Sequence, residues 1–376
     1  MNRFDPRQYN FILVPLVAGS LALLVGAVII WLLGANPVEA YIAMLEGAVG
    51  SPNAIADSLV KSGPILFVAI GICIAYRGGV INIGGEGQLV MGALGTTAVV
   101  LTFRELPSII LIPLALAVGF AAGGFWAAIA GFLKAQFKVN EVLSTVMLNA
   151  IAVLFMNYLL HGVLMDPTEL DNAIHIPQTE RFVLTADLPR LIPTRLHAGI
   201  LLGVIVAFLV YILLWRTTIG YRIRAVGYNV IASEYAGINV GRYQILAIAL
   251  SGALAGLGGA VEVLGVNHRL FTDGSATGFT GNAGFNGIVA ALFGGLHPLG
   301  AIPASFLFGA LLTGANSMQR TVQVPSAFVT MLDGLVVIFV VSSQIWAKRR
   351  ATRRAIAEPL VQDPTATTIQ SDITPS

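Results

Sequence analysis

From Phe11 to Leu33 the chain runs without a single charged side chain, and apolar stretches of similar length recur as far as residue 346. About 20 apolar residues in a helix reach across about 30 Å of hydrocarbon. Inside lipid the backbone must satisfy its own hydrogen bonds, which a helix does within one segment. The expected fold class is therefore all-α, a polytopic membrane protein. Charged residues make up 11% of the 376, against about 25% in a soluble domain, which excludes a set of soluble domains of the same total length.

Stretches at roughly 11–33, 64–75, 84–103, 108–133, 142–164, 199–215, 243–265, 285–295, 299–318 and 326–346 predict about ten transmembrane helices. Residues 1–10 precede this membrane domain of 11–346, and residues 347–376 follow it as a basic, then apolar-poor and disordered tail. The first run is too long for a signal-peptide core and reads as a retained span. Two stretches, Pro64–Ala75 and Phe285–Gly295, are too short to cross as helices alone. Each adjoins glycine- and amide-rich sequence, GGVINIGGEGQ at 78–88 and GFTGNAGFNG at 278–287. Paired interruptions in the two halves of a chain point to an inverted repeat with broken helices around a translocation site. No residue-by-residue repeat accompanies the pairing, so the symmetry is an expectation from the interruptions alone.

The basic residues set an orientation. Arg3 and Arg7 precede the first span, Lys134 and Lys138 lie in a short loop, Arg216, Arg222, Arg224 and Arg242 bracket another, and Lys348, Arg349, Arg350, Arg353 and Arg354 follow the last span. With ten crossings all four clusters fall on one side, which the positive-inside rule makes cytoplasmic, together with both termini. The opposite face receives 37–63, 161–197 and 267–282; the prolines of the middle segment argue against one regular helix there.

Catalysis has no sequence support. The chain carries no phosphate-binding glycine loop with its lysine, no H-E-x-x-H, and no Cys/His cluster of metal spacing. The lone Cys73 permits no internal disulfide, and the five histidines scatter near span ends or in loops. The net charge of +2 comes from a few short loops and points to no acidic partner, nucleic acid included.

Three constellations stand out. In 78–88, a glycine-broken stretch at bilayer depth survives only where other helices bury it or water lines it. Asn82, Glu86 and Gln88 therefore either satisfy backbone groups freed at the break or line a pathway, as does Asn286 in the second interruption. In NEVLSTVMLN, residues 140–149, Asn140 is placed to cap a helix. Glu141, Thr145 and Asn149 then fall within about 80° of one another, a polar stripe that either bonds neighbouring helices or, at Asn149, meets a pathway. In the loop 216–243, Asn229 can cap a short helix through Ser233, Glu234 and Tyr235, stopped at Gly237. That helix either rests on the membrane surface or docks into a partner. Asp333, inside the last run, would have to face the bundle interior or a partner subunit. SGALAGLGGA, residues 251–260, reads as close helix packing.

In this order, GGVINIGGEGQLVMGALG, NEVLSTVMLN, AVGYNVIASEYAGINVGRYQ and SGALAGLGGA resemble the permease subunits of bacterial ABC importers, in the group that includes ribose-type and branched-chain amino acid permeases. The wording N-I-G-x-E-G-Q with E-V-x-S-T-x-M-L-N is similar to the nucleoside, or simple-sugar, branch, and the likeness covers roughly 10–346. The resemblance implies a multi-pass permease domain in the bacterial inner or plasma membrane and a second homologous permease subunit. It also implies an ABC ATPase subunit that binds the ATP and Mg, so that this chain holds no cofactor and is not itself an enzyme. A lipid-anchored extracytoplasmic binding protein would deliver the nucleoside. The loop at Asn229, Ser233, Glu234 and Tyr235 matches the family's coupling helix, with one departure, Val230 where the pattern has proline. Solute is then expected to pass Asn82, Glu86, Gln88, Asn149 and Asn286, where the four amides suit an uncharged, hydroxyl-rich nucleoside. The alternatives are a permease for ribose or another simple sugar, and a proton-coupled secondary transporter using Glu86 or Asp333.

Overall fold

Ser51 caps the longest buried helix, its Oγ accepting the Ala54 N–H at 3.1 Å, with Pro52 at the first helical position. The computed structural model describes residues 20–21, 23–171, 176–274, 278–323, 331 and 334–335, and residues 27–330 form the unit considered below. The described helices are Leu23–Leu32 (α1), which runs into this unit, and within it Pro37–Val49 (α2), Pro52–Arg77 (α3), Gly85–Thr102 (α4), Ser108–Phe137 (α5), Glu141–Leu160 (α6), Gly199–Arg216 (α7), Thr218–Tyr228 (α8), Val230–Tyr235 (α9), Val240–Glu262 (α10), Ala283–Phe293 (α11) and Pro298–Val322 (α12). No strand occurs among the described residues, only the isolated bridges Gln178–Phe271 and Arg190–His197 in the connecting segments.

α10 is the axis of the bundle and packs against α5, α3 and α4. Lipid is as apolar as a leucine side chain, so helices in it associate through close packing of small residues rather than hydrophobic burial. The contact between α4 and α10 shows how close: a Cβ on Gly92 would sit 2.1 Å from the Gly256 carbonyl oxygen. The expectation that 251–260 serves packing is met on both sides, since Gly256 also faces Gly119 and Gly123 of α5. α3 and α10 are buried along most of their length, whereas α5, α6 and α7 keep much of theirs outward. A helix apolar all round belongs in a core or in lipid, and this chain uses both.

Three sequence expectations change. Pro64–Ala75 is not a short span: it is the second half of α3, whose 26 residues include Pro64. Asp57 and Lys61 lower the hydropathy of the first half and make it read as a loop, while burial of Ser58 and Ser62 against α2 and α12 lets a polar half-helix form. The segment 37–63, expected outside the membrane, contains the first half of the candidate span α3 as well as α2, whose Met44 and Gly47 pack on Gly314 and Ser317 of α12. Among the described residues six helices, α3, α5, α6, α7, α10 and α12, are long and apolar enough to cross a membrane, fewer than the roughly ten expected. α4 misses because its buried turns can afford glycine, glutamate and glutamine, and α11 misses on length. Residues 11–19 and 22 of the first run, most of the run 326–346 including Asp333, and the two termini lie outside the described residues.

The remaining runs fall close to where hydropathy places them: α5 over 108–137, α6 over 141–160, α7 over 199–216 and α12 over 298–322. Among the described residues, the two basic clusters around Lys134 and at 216–242 have contacts at the loop ends of their helices. A Cβ on Gly241, beside Arg242, would meet Ala135, beside Lys134, at 3.5 Å, and Gly227, close to Arg224, abuts Arg77.

Candidate functional site

After Arg77 the chain stays non-helical through Gly84 and turns back alongside α3. Gly85, where α4 starts, faces Val68 of α3, and Gly287, the fifth residue of α11, faces the same valine. Val68 lies nine residues from the end of α3, about 14 Å at 1.5 Å per residue. α4 and α11 are thus half-helices that begin inside the bundle and meet at their N-terminal ends, with Gly284 against Glu86.

The break is stitched by side chains. Asn82 Nδ2 donates to Gln88 Oε1 and to Ser251 Oγ of α10, both at 2.9 Å. Asn82 Oδ1 accepts from the Gly84 N–H at 2.8 Å and from Gln88 Nε2 at 2.9 Å. The stripe on α6 supplies the rest. The Ile81 N–H donates to Glu141 Oε1 at 3.4 Å, the Ile83 N–H to Thr145 Oγ1 at 3.3 Å, and the Gly87 N–H to Asn149 Oδ1 at 2.8 Å. Asn149 Nδ2 returns a bond to the Ile83 carbonyl at 2.9 Å. Glu141 is itself paired with Lys134. The stripe and the break are therefore one structure, and every freed N–H named here has a partner, as buried backbone requires.

Glu86 lies in the first turn of α4 and its Oε1 accepts the Phe285 N–H of α11 at 3.2 Å. Its second oxygen has no partner in hydrogen-bonding geometry, with Thr280 beside the carboxyl. Asn286, 5% exposed, leaves Nδ2 unbonded. A carboxylate at two helix N-termini meets orphan N–H groups and the positive ends of both dipoles. Asn82, Glu86 and Gln88 are 3%, 2% and 1% exposed, so the cluster is closed in this state of the chain. A surface groove lies elsewhere, between the start of α2 and the end of α12.

At the end of the bundle that carries Arg77, α8 and α9 form an elbow. Asn229 caps α9, its Oδ1 accepting the Ala232 N–H at 3.0 Å, so Val230 starts the helix without the help of a proline ring. The Ile238 N–H bonds the Ser233 carbonyl at 2.9 Å and Gly237 takes φ +74°, which closes the helix where the sequence placed its stop. Ser233 is buried, while Glu234 is exposed and Tyr235 is 91% exposed, with Ile231 and Tyr228 open on either side.

The structure thus joins Asn82, Gln88 and Asn149 in one network and puts Glu86 and Asn286 at the half-helix junction, while Asn229, Ser233, Glu234 and Tyr235 stand apart at the elbow. Sequence reasoning missed Ser251 as a polar partner. It is the one hydroxyl in SGALAGLGGA, and an isolated serine on a glycine face is the signal that was available. Thr280, too, was hidden in a glycine-rich stretch.

Residues 54–341 match the profile of a family described as branched-chain amino acid transport system / permease component. The chain is 35% identical to the guanosine ABC transporter permease protein NupP of Bacillus subtilis over 90% of its own length and 95% of that protein. It is 32% identical to the nucleoside ABC transporter permease protein NupB of Lactococcus lactis over 88% and 90% of the two chains. A glucose ABC transporter permease of Haloferax volcanii is 31% identical over 89% and 88%. No solved structure matches the chain.

Proposed function

The chain belongs to the branched-chain amino acid transport system permease family, and from that membership we propose that it is the transmembrane subunit of an ATP-driven importer of nucleosides. The observation that carries the substrate class is the full-length similarity to the guanosine and nucleoside permeases.

In this reading a partner ABC ATPase hydrolyses ATP, a second permease completes the membrane assembly, and an extracytoplasmic binding lipoprotein delivers the solute. The Arg77 end of the bundle, with its basic residues, faces the cytoplasm. α9 is the element the ATPase grips. Its capped start, its closed stop and the outward Tyr235 support that role. The two half-helices bound the path. When the permeases rock apart, the contact between α4 and α11 opens, and Asn82, Glu86, Gln88, Asn149 and Asn286 present donors and acceptors to ribose hydroxyls and base edges. The interrupted helices support this, because irregular backbone inside a membrane protein is tolerated where it is buried or lines a cavity. Residues 216–243 form the coupling region within a membrane domain of 11–346.

The test is uptake of radiolabelled guanosine into proteoliposomes holding the complete assembly with its binding protein. The expected result is uptake that requires ATP, survives a protonophore, and is competed by nucleosides but not by ribose. Competition by ribose alone would move the reading to a sugar permease. Protonophore-sensitive uptake without the ATPase would make the chain a secondary transporter.

A further inference from the structure

The elbow and the break touch through bare backbone. Gly227 lies in the last turn of α8, just before Asn229 and α9. A Cβ there would sit 2.0 Å from the Arg77 carbonyl oxygen and 2.8 Å from the Gly79 nitrogen. Nothing compliant separates the two segments, so a shift of α8 and α9 must displace the point where α3 ends and the non-helical stretch begins. Gly78 adds a second contact, its Cβ position meeting Ile223 of α8 at 3.4 Å as well as Ala247 of α10.

The Arg77 side chain extends the linkage to the second half-helix. Its Nη2 donates to the Leu296 carbonyl at 3.4 Å, in the turn joining α11 to α12. Its guanidinium also lies 5.4 Å from the centre of the Trp215 ring at the end of α7, with the Arg224 guanidinium 5.9 Å from that ring. Trp215 in turn packs on His297, the cap of α12, at 4.9 Å between ring centres. Among the described residues neither arginine has a carboxylate partner. One indole therefore holds two like charges, an arrangement that depends on ring faces and planar guanidinium groups.

We infer that Gly227, Arg77 and Trp215 are positioning residues that relay movement of the α8–α9 elbow to both half-helices, α4 through the break and α11 through the Leu296 turn. The inference rests on the proposed coupling role of α9 and names the route by which that coupling enters the membrane domain.

The assembled transporter carrying Ile81→Cys tests it. Ile81 lies in the break and is 48% exposed, whereas the native Cys73 is fully buried, so with cysteine-free partner subunits a maleimide reads position 81 alone. In the parent, adding ATP with vanadate is expected to change the labelling rate at least fivefold. Arg77→Gln, Trp215→Leu and Gly227→Ala are each expected to abolish that change while partner ATP hydrolysis continues. Trp215→Phe, which keeps a ring face, is expected to restore it. The three relay variants responding like the parent would overturn the inference, and so would a parent that shows no response. A response that survives the relay variants but vanishes on Glu234→Arg with Tyr235→Ala would sink the relay and leave the coupling role of α9 standing. Survival in both sets would sink the coupling role as well. If Gly227→Ala fails to assemble, Arg77→Gln and the pair at Trp215 decide.

Discussion

Glu86 Oε1 accepts the Phe285 N–H at 3.2 Å, tying the first turn of α4 to the first turn of α11 across 199 residues of sequence. The bond makes one carboxylate answer for the N-terminal ends of two helices that both begin inside the bundle. Glu86→Gln keeps an acceptor for that N–H, whereas Glu86→Ala leaves it buried and unpaired, a loss of about 1–3 kcal/mol. The expected order of thermal stability in detergent is parent, then Gln close behind, then Ala well below. Guanosine uptake is expected to fall in both, because both alter the groups offered to the solute.

Asn149 spans the break with two bonds, accepting from Gly87 and donating to the Ile83 carbonyl. Asn149→Leu removes both. Asn149→Asp keeps the acceptor and loses the donor. At least tenfold slower uptake per assembled complex is expected for Leu, with Asp intermediate. Initial-rate kinetics decide, and unchanged kinetics in the leucine variant would reduce Asn149 to helix packing.

The α9 elbow carries its own prediction. Asn229→Ala removes the cap of a six-residue helix, at a cost of about 1 kcal/mol. Asn229→Asp retains it. Glu234→Arg with Tyr235→Ala leaves the helix intact and changes only its outward face. Uptake per ATP hydrolysed is expected to drop strongly in the double variant and partly in Asn229→Ala, with surface expression normal.

Two glycines of the bundle differ in what surrounds them. A Cβ on Gly92 meets Gly256 backbone at 2.1 Å, while one on Gly63 meets nothing within 4 Å. Gly92→Ala is expected to destabilise the assembly by about 1–3 kcal/mol through forced backbone shifts. Gly63→Ala, inside α3, is expected to stabilise it by about 0.5–1 kcal/mol through reduced chain entropy. Denaturation midpoints of the two variants should move in opposite directions.

His197, just ahead of α7, is 4% exposed and its Nδ1 accepts the Gly199 N–H at 3.1 Å, which requires the neutral ring. Burial, and secondarily the nearby His268, push its pKa down from 6.5 to about 4. Between those values the unfolded chain holds a proton that the folded chain refuses, so stability falls as pH drops through that window and is complete above it. Protection factors at residues 186–199, exchange rates set against the intrinsic rate at each pH, are expected to fall from pH 6.5 towards 4, and His197→Gln should flatten that profile.

Hydropathy, read along the chain, was enough for the membrane class and for most helix positions, because both are properties of single segments. The caps Asn140 and Asn229 and the stop at Gly237 were equally legible, since each acts within a few residues of itself. The partners of the break were not. Nothing in GGVINIGGEGQ says that Asn82 meets Ser251 at a separation of 169 residues, or that Glu86 meets Phe285. Nor does the polar first half of α3 announce itself as helix, since its burial depends on α2 and α12 lying beside it. Local pattern decides which segments are helical because each helix closes its own hydrogen bonds. Which polar groups share a buried site is decided by how those helices pack, since groups far apart in the chain become partners only once the bundle has formed.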